Sequence, residues 1–408
     1  MDQRVTCCIA GGGPAGMMLG VLLARAGVEV CVLEKHKDFL RDFRGDTIHP
    51  STLRMMEELG WLSDFLKLPH QEAQRIYAQF GETRVEMANF AHLPITTKFI
   101  ALMPQWDFLN FLADKGRAYP HFHLMMSTEA TGLVYDGDRV SGVTAKTADG
   151  PITINADLVV AADGRSSTLR AASGLVSEDF GAPMDVLWFR LPRLPTDTEE
   201  TVGRFDAGRI FIMLQRGDYW QCAYVIPKGG DAQVRAAGLD VFRASVGRLL
   251  PFDPVRADAI ADWDHVKLLT VVVDRLKTWA KPGFLCIGDA AHAMSPVGGV
   301  GVNLAVQDAV ATANLLWQPL KEHRLTFRDI EAVQARREFP TVATQRLQLG
   351  IQNMVISKTL KATGPIKPPL FVSLVSALPF LSRLPARLLG LGFRPERVSE
   401  AIRNASGR

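Results

Sequence analysis

The segment that most constrains the fold of this chain runs from Val5 to Glu34. A short apolar run is followed by a glycine-rich turn, a helical pattern of apolar residues, and a second apolar run that ends in an acid. The turn, Gly-Gly-Gly-Pro-Ala-Gly, matches G-x-G-x-x-G at Gly11, Gly13 and Gly16. This order of strand, turn, helix and strand predicts a βαβ unit of about thirty residues.

Each position of the turn has a physical role in binding a dinucleotide. Gly11 permits the tight turn, Gly13 allows a pyrophosphate to approach the backbone, and Gly16 lets the helix pack closely on the strand. Pro14 and Ala15 lie at the start of the helix, where free N–H groups and a partial positive charge attract phosphate. The turn therefore predicts a binding site for a dinucleotide phosphate.

An acidic residue ends the second strand of the unit. Glu34 follows Gly16 by 18 residues, the position from which a carboxylate accepts hydrogen bonds from a ribose. Its neighbour Lys35 is a further candidate cofactor contact, but it does not distinguish NADH from NADPH. The motif alone fits FAD and NAD(P) equally, and a glycine-rich turn without a ligand is the structural alternative.

Composition argues against several classes of function. The chain has 46 basic and 43 acidic residues among 408, and this near balance gives no reason to expect a nucleic-acid partner. Five scattered cysteines in apolar runs are typical of buried residues in a reducing compartment, and no Cys/His cluster suggests a metal. The first strand leaves no room for a signal peptide, and no long uncharged apolar run predicts a spanning helix. We therefore expect a cytoplasmic protein.

Two later strands also end in an aspartate next to a glycine. Asp163-Gly164 follows one buried apolar run, and Gly288-Asp289 follows another. An Asp-Gly pair is common turn chemistry by itself. At the end of a strand, however, an aspartate can hold a ribityl or phosphate group.

A loop with several glycines follows the second of these strands. It contains Pro296 and leads into a helix expected over Asn303–Leu316, so its backbone N–H groups can lie flat against a planar ligand. His292 lies in the same stretch; a packing or capping residue is the favoured interpretation, and a catalytic residue is the alternative. No catalytic side chain is assigned.

Residues 180–275 have the pattern of an antiparallel sheet, and a helix is expected over Asp231–Leu249. The sheet is rich in aromatic residues and lacks phosphate-binding features, which is typical of a substrate domain. We expect substrate contacts from its inner face. The polar candidates on its strands are Arg190, Gln215, Gln221 and Tyr224.

The C-terminal region is strongly apolar and interrupted by prolines from residue 365 to residue 395. Arg383, Arg387 and Arg394 are interspersed in it. A helix packed over the substrate domain is the favoured interpretation. The alternative is an amphipathic segment that makes peripheral contact with a membrane.

Taken together, the three motifs resemble those of the single-component FAD-dependent aromatic hydroxylases. This is the para-hydroxybenzoate hydroxylase-like family of group A flavoprotein monooxygenases, and the resemblance extends from residue 1 to about residue 345. It implies that Glu34 contacts the adenosine ribose, that Asp163 handles both FAD and NAD(P)H, and that Asp289 holds the ribityl chain. His49 is a candidate residue of the flavin and substrate pocket. The other cofactor contacts that the resemblance implies are Arg44, Gln105, Pro296, Gly301, Val302 and Asn303.

The resemblance also implies the fold and its division into domains. The expected class is α/β: a Rossmann-type FAD-binding domain, an inserted antiparallel-sheet substrate domain and a C-terminal helical tail. The FAD-binding domain is expected to comprise residues 1–75, 100–180 and 270–345. The substrate domain would take residues 76–99 and 181–269, and the tail residues 346–408.

The implied activity is that of a monooxygenase. NADPH or NADH reduces FAD, and the reduced flavin reacts with O₂ to give a C4a-hydroperoxide that hydroxylates an aromatic or polycyclic small molecule. A flavin-dependent reductase or dehydrogenase of the same fold is the first alternative. A non-catalytic, flavoprotein-like binding protein is the second. We expect a monomer or a homodimer.

Overall fold

The computed structural model describes residues 2–40, 47–198, 201–370, 372–373 and 381–405. Arg44, a predicted cofactor contact, lies outside the described residues. The described strands are β1 Asp2–Ala10, β2 Val30–Leu33, β3 Thr47–Ile48, β4 Gln71–Ala73, β5 Arg75–Phe80, β6 Thr83–Asn89, β7 Ile100–Leu102, β8 Phe122–Met125, β9 Glu129–Asp136, β10 Arg139–Thr147, β11 Gly150–Ala161, β12 Ser177–Asp179, β13 Met184–Pro192, β14 Val202–Asp206, β15 Arg209–Gln215, β16 Tyr219–Pro227, β17 Lys267–Leu269, β18 Asp274–Leu276, β19 Ala280–Lys281 and β20 Phe284–Cys286.

Along the chain, the described α-helices are interspersed among the strands of two large sheets. They are α1 Pro14–Arg25, α2 Pro50–Glu58, α3 Leu62–Phe65, α4 Gln105–Arg117, α5 Thr168–Ser173, α6 Asp231–Ala236, α7 Leu239–Gly247, α8 Gly301–Lys321, α9 Phe327–Ile351, α10 Ser357–Lys361, α11 Arg383–Gly390 and α12 Glu400–Asn404. A π-helical turn, Gln352–Ile356, continues α9.

The first sheet is the one that the βαβ unit begins. Its main path is β19-β20-β11-β1-β2-β8, and β10 and β9 extend it from β11. β1 pairs in parallel with both β2 and β11, and β11 pairs in parallel with β20. Helices α1 and α8 pack together over these strands, whose side chains are buried because both faces of the sheet are covered.

The second sheet has seven strands in the order β17-β13-β16-β15-β14-β5-β6. Its pairs are antiparallel apart from β5 and β14, which run in parallel. One face packs on α7, and the other, which we call the inner face, packs on Val297, Leu349 and Ile356. A Rossmann-type sheet joined to a second, mainly antiparallel sheet, with helices at the C-terminal end, is the predicted fold class.

The single helix predicted over Asp231–Leu249 is two helices in the structure. α6 ends before Gly238, whose φ of 95° is favourable only for glycine, and α7 begins after it. The periodicity of apolar residues continues across this break, so the sequence pattern did not reveal it.

The C-terminal segment packs on the protein at two places. Helix α11 packs against β6 and the turn at Phe90–His92, and it buries Ala386 there. Helix α12 returns to α1, where Arg25 donates from Nε to the Ile402 carbonyl at 3.0 Å. Residues 371 and 374–380 of the predicted apolar segment lie outside the described residues. In the part that the structure describes, the contacts of α11 with β6 are those expected of a segment packed on the second sheet. Across the described ranges, every helix is too short or too polar to cross a membrane.

Candidate functional site

The three motifs lie at one edge of the first sheet. Ala10 pairs with Ala161 and Ala161 pairs with Cys286, so β1, β11 and β20 end side by side. The turns that follow are in direct contact: a Cβ built on Gly288 would lie 3.1 Å from the Ala15 Cβ. Ligands of open α/β sheets bind at this carboxyl edge.

The glycine-rich turn has the close approaches that its sequence predicts. A Cβ on Gly11 would lie 2.3 Å from the Ala162 carbonyl oxygen, and one on Gly16 would lie 2.0 Å from the Gly11 carbonyl oxygen. A Cβ on Gly13 would meet no atom within 4 Å. Space is therefore left beside Gly13, at the N-terminus of α1, where a helix binds phosphate.

Glu34 is buried beside the same turn. Its Oε2 accepts a hydrogen bond from the Gly12 N–H at 3.1 Å, and its Oε1 accepts one from the His36 N–H at 2.9 Å. Lys35 is exposed. The carboxylate of Glu34 is thus fixed at the end of β2, next to the N-terminus of α1.

The two motif aspartates differ in their surroundings. Burial raises the pKa of Asp163. The hydrogen bonds that its carboxylate accepts favour a lower pKa, but burial outweighs them. Asp163 Oδ2 accepts from the Leu169 N–H at 3.3 Å, whereas Oδ1 is buried and has no partner among the described residues. Asp289 is 37% exposed, and its Oδ2 lies 4.0 Å from Arg165 Nη2.

A buried ionic cluster supports the Gly288-Asp289 turn. Asp308 Oδ2 accepts from the Gly288 N–H at 3.1 Å and from His292 Nε2 at 2.6 Å, and its Oδ1 accepts from Arg337 Nε at 2.8 Å. Burial favours a higher pKa for Asp308, but His292 and Arg337 outweigh it and leave the pKa below its usual range. His292 is therefore a buried supporting residue, in keeping with the packing interpretation.

Asn303 lies in α8 and forms hydrogen bonds with the segment around the start of α2. Its Oδ1 accepts from the His49 N–H at 2.8 Å and from Thr52 Oγ1 at 2.7 Å, and its Nδ2 donates to the Thr47 carbonyl at 3.2 Å. The side chain thus has three protein partners. A role beside the flavin ring would fall to the backbone of this residue.

His49 joins the same region to the C-terminal helix. Its Nδ1 lies 2.7 Å from the Leu389 carbonyl oxygen, and burial lowers its pKa to about 4. The imidazole is therefore neutral at pH 7 and donates from Nδ1. Its Nε2 is buried and has no partner in the described part of the chain.

Four other predicted cofactor residues lie around the glycine-rich loop and at the start of α4. Pro296 begins the loop, Gly301 and Val302 form the first residues of α8, and Gln105 is the first residue of α4 and half-buried. Thr47 Oγ1 donates to the Gly299 carbonyl at 2.9 Å, which ties this loop to β3.

The predicted substrate residues divide between the two faces of the second sheet. Arg190 and Gln221 are register partners and lie on the inner face, each two residues along its strand from an inner-face residue, Trp188 or Ala223. Arg190 stacks 4.7 Å from the Tyr219 ring, and Gln221 Oε1 accepts from Arg216 Nε at 3.0 Å. The expectation of an inner-face position is wrong for the other two. Tyr224 packs with α7, where its hydroxyl lies 2.9 Å from Ser245 Oγ, and Gln215 shares its side of the sheet because side chains alternate along a strand.

The residues at the sheet edge fit FAD. Space at Gly13 and the N-terminal N–H groups of α1 suit a pyrophosphate, and the buried Glu34 carboxylate beside them suits a ribose. The partly exposed Asp289 and the unpartnered Oδ1 of Asp163 offer further acceptors at the same edge.

Comparison with known proteins also indicates FAD. A model of the FAD binding domain family matches residues 4–346. The chain is 30% identical over 384 residues to 6-methylpretetramide 4-monooxygenase of Streptomyces rimosus, an alignment that covers 93% of this chain and 89% of that protein. Three other relatives are longer, and the chain spans 62%, 64% and 63% of them.

The fold is shared with many solved structures, among them the following two. One is PqsL, a probable FAD-dependent monooxygenase from Pseudomonas aeruginosa, with a TM-score of 0.74 and 21% identity over 88% of this chain and 98% of that one. The other is the anhydrotetracycline hydroxylase OxyS from Streptomyces rimosus, with a TM-score of 0.74 and 20% identity over 98% of this chain and 78% of that one. The family match extends over most of the chain, and the chain therefore belongs to the FAD binding domain family, among the FAD-dependent aromatic hydroxylases.

Proposed function

We propose that this protein hydroxylates an aromatic or polycyclic small molecule, with FAD as its redox group, NADPH or NADH as the electron donor and O₂ as the oxygen source. In the balanced reaction one oxygen atom forms a C–OH bond on the substrate and the other leaves as water. NAD(P)H is oxidised to NAD(P)⁺, and one proton is taken up. The relatives that act on 6-methylpretetramide and anhydrotetracycline support a substrate of this class.

One observation carries the proposal: a single loop joins the cofactor edge of the first sheet to the apolar face of the second. The loop begins after the Gly288-Asp289 turn, and its Val297 packs on the inner face with Val186 and Ala223. A planar group at the loop would therefore lie beside an apolar surface that suits an aromatic ring.

The chain's own residues would bind and orient the reactants. The start of α1 would hold the pyrophosphate, Glu34 the adenosine ribose and Asp289 the ribityl hydroxyls. The inner-face side chains would exclude water and hold the substrate ring in place. When bound, FAD supplies the electron transfer from NAD(P)H and the activation of O₂.

A direct test is a screen of aromatic and polycyclic compounds for those that stimulate NAD(P)H oxidation by the FAD-loaded protein. We expect the product of an active compound to gain one atom of ¹⁸O from ¹⁸O₂, as measured by mass spectrometry. Initial rates with NADH and NADPH identify the reductant. A product without label from O₂ would support the reductase alternative, and a protein that cannot be loaded with FAD would support a binding protein.

We expect Asp289→Ala to weaken FAD binding by roughly 10- to 100-fold, because hydrogen bonds to a charged acceptor contribute about 1.5–3 kcal/mol. The measurement is the dissociation constant of FAD for the stripped protein. Asp138→Ala, in the exposed turn between β9 and β10, is the control and should keep the original affinity. Full FAD affinity in Asp289→Ala would contradict the ribityl contact.

A further inference from the structure

Two glutamines near the C-terminal end of α9 hold the loop that leads to the glycines. Gln348 Nε2 donates to the carbonyl oxygens of Ser295 and Val297, at 2.9 Å each. Gln352 Nε2 donates to Ser295 Oγ at 2.6 Å. The two side chains are four residues apart, so they lie on the same side of the helix and meet at Ser295.

The side-chain oxygen of each of these amides has no hydrogen-bond partner among the described residues. Gln348 and Gln352 are 3% and 0% exposed, and the Oε1 atom of each is buried. Nearly all buried polar groups in proteins have a partner, because a buried acceptor without one destabilises the fold. Two such acceptors, four residues apart on one helix, are available to a hydrogen-bond donor of a bound ligand.

The two amides lie at the junction of the loop, helix α9 and the second sheet. Leu349 and Ile356, which precede and follow Gln352 by three and four residues, both pack with Val297 on the inner face. Gln352 is also the first residue of the π-helical turn, a local widening of the helix that is frequent at functional sites. The two glutamines therefore lie on the helix beside residues that contact the apolar surface at which the proposed function places the substrate.

We propose that Gln348 and Gln352 accept hydrogen bonds from a phenolic or enolic hydroxyl of the substrate, and so select hydroxylated rings. This proposal rests on the proposed function. The apolar inner face would cover the body of the ring, and the two amide oxygens would bind its polar edge. Such a site rejects an analogue without the hydroxyl, because its own buried polar groups then stay unpaired.

The test is the binding of two probes, 2-naphthol and 2-methoxynaphthalene, to the FAD-loaded protein. They share a two-ring body, and only the first can donate a hydrogen bond. Dissociation constants follow from the change in the flavin absorption spectrum on titration. We expect the original protein to bind 2-naphthol about tenfold more tightly, and Gln352→Met to bring the two constants close together.

A neighbouring glutamine provides a matched control. Gln345 Nε2 donates to the Asp274 and Ala293 carbonyls at 2.7 and 3.1 Å, and its Oε1 accepts from Arg275 Nη1 at 2.6 Å. Because both ends of this amide are partnered, Gln345→Met should keep the preference for 2-naphthol. Gln352→Glu, which retains an acceptor oxygen, should keep it as well. FAD content checks that each variant is folded, and Gln348→Met replaces Gln352→Met if that variant does not hold FAD.

Two outcomes would overturn the proposal, and they differ in what they say about the proposed function. The first outcome is equal binding of the two probes by the original protein, or a preference for 2-naphthol that is unchanged in Gln352→Met. It would mean that the amide oxygens do not bind the hydroxyl. Substrate-stimulated NAD(P)H oxidation would then leave the proposed function in place. If neither probe changes the flavin spectrum at millimolar concentration, both the aromatic site and the amide contacts are contradicted.

Discussion

Replacing Asp308 by asparagine is expected to destabilise the protein by about 3–5 kcal/mol, because the buried guanidinium of Arg337 loses its anionic hydrogen-bond partner and keeps only the more distant carboxylate of Glu396, 3.6 Å from Nη1. Asp308 and Arg337 are both 0% exposed, so water cannot replace the lost interaction. The Gly288 N–H also loses a charged acceptor. The measurement is urea unfolding of the FAD-free variant and of the original protein, followed by circular dichroism.

A surface pair provides the control for this prediction. Asp114 and Arg117 lie 2.6 Å apart, but both side chains are mostly exposed. Asp114→Asn should change stability by less than about 1 kcal/mol, because water screens the pair and replaces its hydrogen bonds. Similar losses in the two variants would contradict the importance of burial in the Asp308 cluster.

The same cluster predicts a dependence of stability on pH. The pKa of Asp308 is lower in the folded protein than its usual value, so its carboxylate stabilises the fold above about pH 4. This contribution is lost as the pH falls through the lowered pKa. Acid unfolding of the original protein should therefore be steeper below pH 4 than that of Asp308→Asn.

Gly11→Ala is expected to abolish FAD loading and to destabilise the FAD-free protein. The residue has a φ of 109°, which L side chains rarely adopt, and the new Cβ would lie 2.3 Å from the Ala162 carbonyl oxygen. The backbone strain and the overpacking should each cost about 1–3 kcal/mol. The measurements are the FAD content of the purified variant and its urea unfolding.

Gly13→Ala should separate cofactor binding from stability at the same turn. Its φ of −76° suits alanine, and the new Cβ would meet no protein atom within 4 Å. The FAD-free variant should therefore be as stable as the original protein. Its affinity for FAD should fall at least tenfold if a pyrophosphate lies beside Gly13. A Gly13→Ala variant with undiminished affinity would argue against that placement.

The sequence was most informative where one residue type is required by the backbone. The G-x-G-x-x-G turn, the helix that follows it and the end of β2 at Leu33 all lie where the pattern predicts. The reason is that these features are local. The close backbone approaches at Gly11 and Gly16 and the periodicity of apolar residues depend on residues that are near one another in the sequence. The predicted domain boundaries and cofactor contacts stay predictions.

The sequence was least informative about which face of the second sheet is the inner one. The alternation of side chains along β16 shows that Tyr224 and Gln221 lie on opposite faces of the sheet. It does not show which face is the inner one, because both faces are covered, one by α7 and the other by the loop and α9. The pairing of Asp308 with Arg337 was equally hidden, because it joins two helices whose packing no local pattern describes.

The order in which the strands enter the two sheets has a consequence for how the chain reaches its native state during synthesis. The first sheet needs Phe284 to pair with Val159, whereas the second needs Val202 to pair with Tyr77. Neither sheet can be completed from a contiguous stretch, and such non-local pairing slows folding. The apolar edge of β11 stays unpaired, and prone to aggregate, until β20 has left the ribosome. Fragments that end before β20 should therefore be insoluble without chaperones, and a productive fold should follow only late in translation.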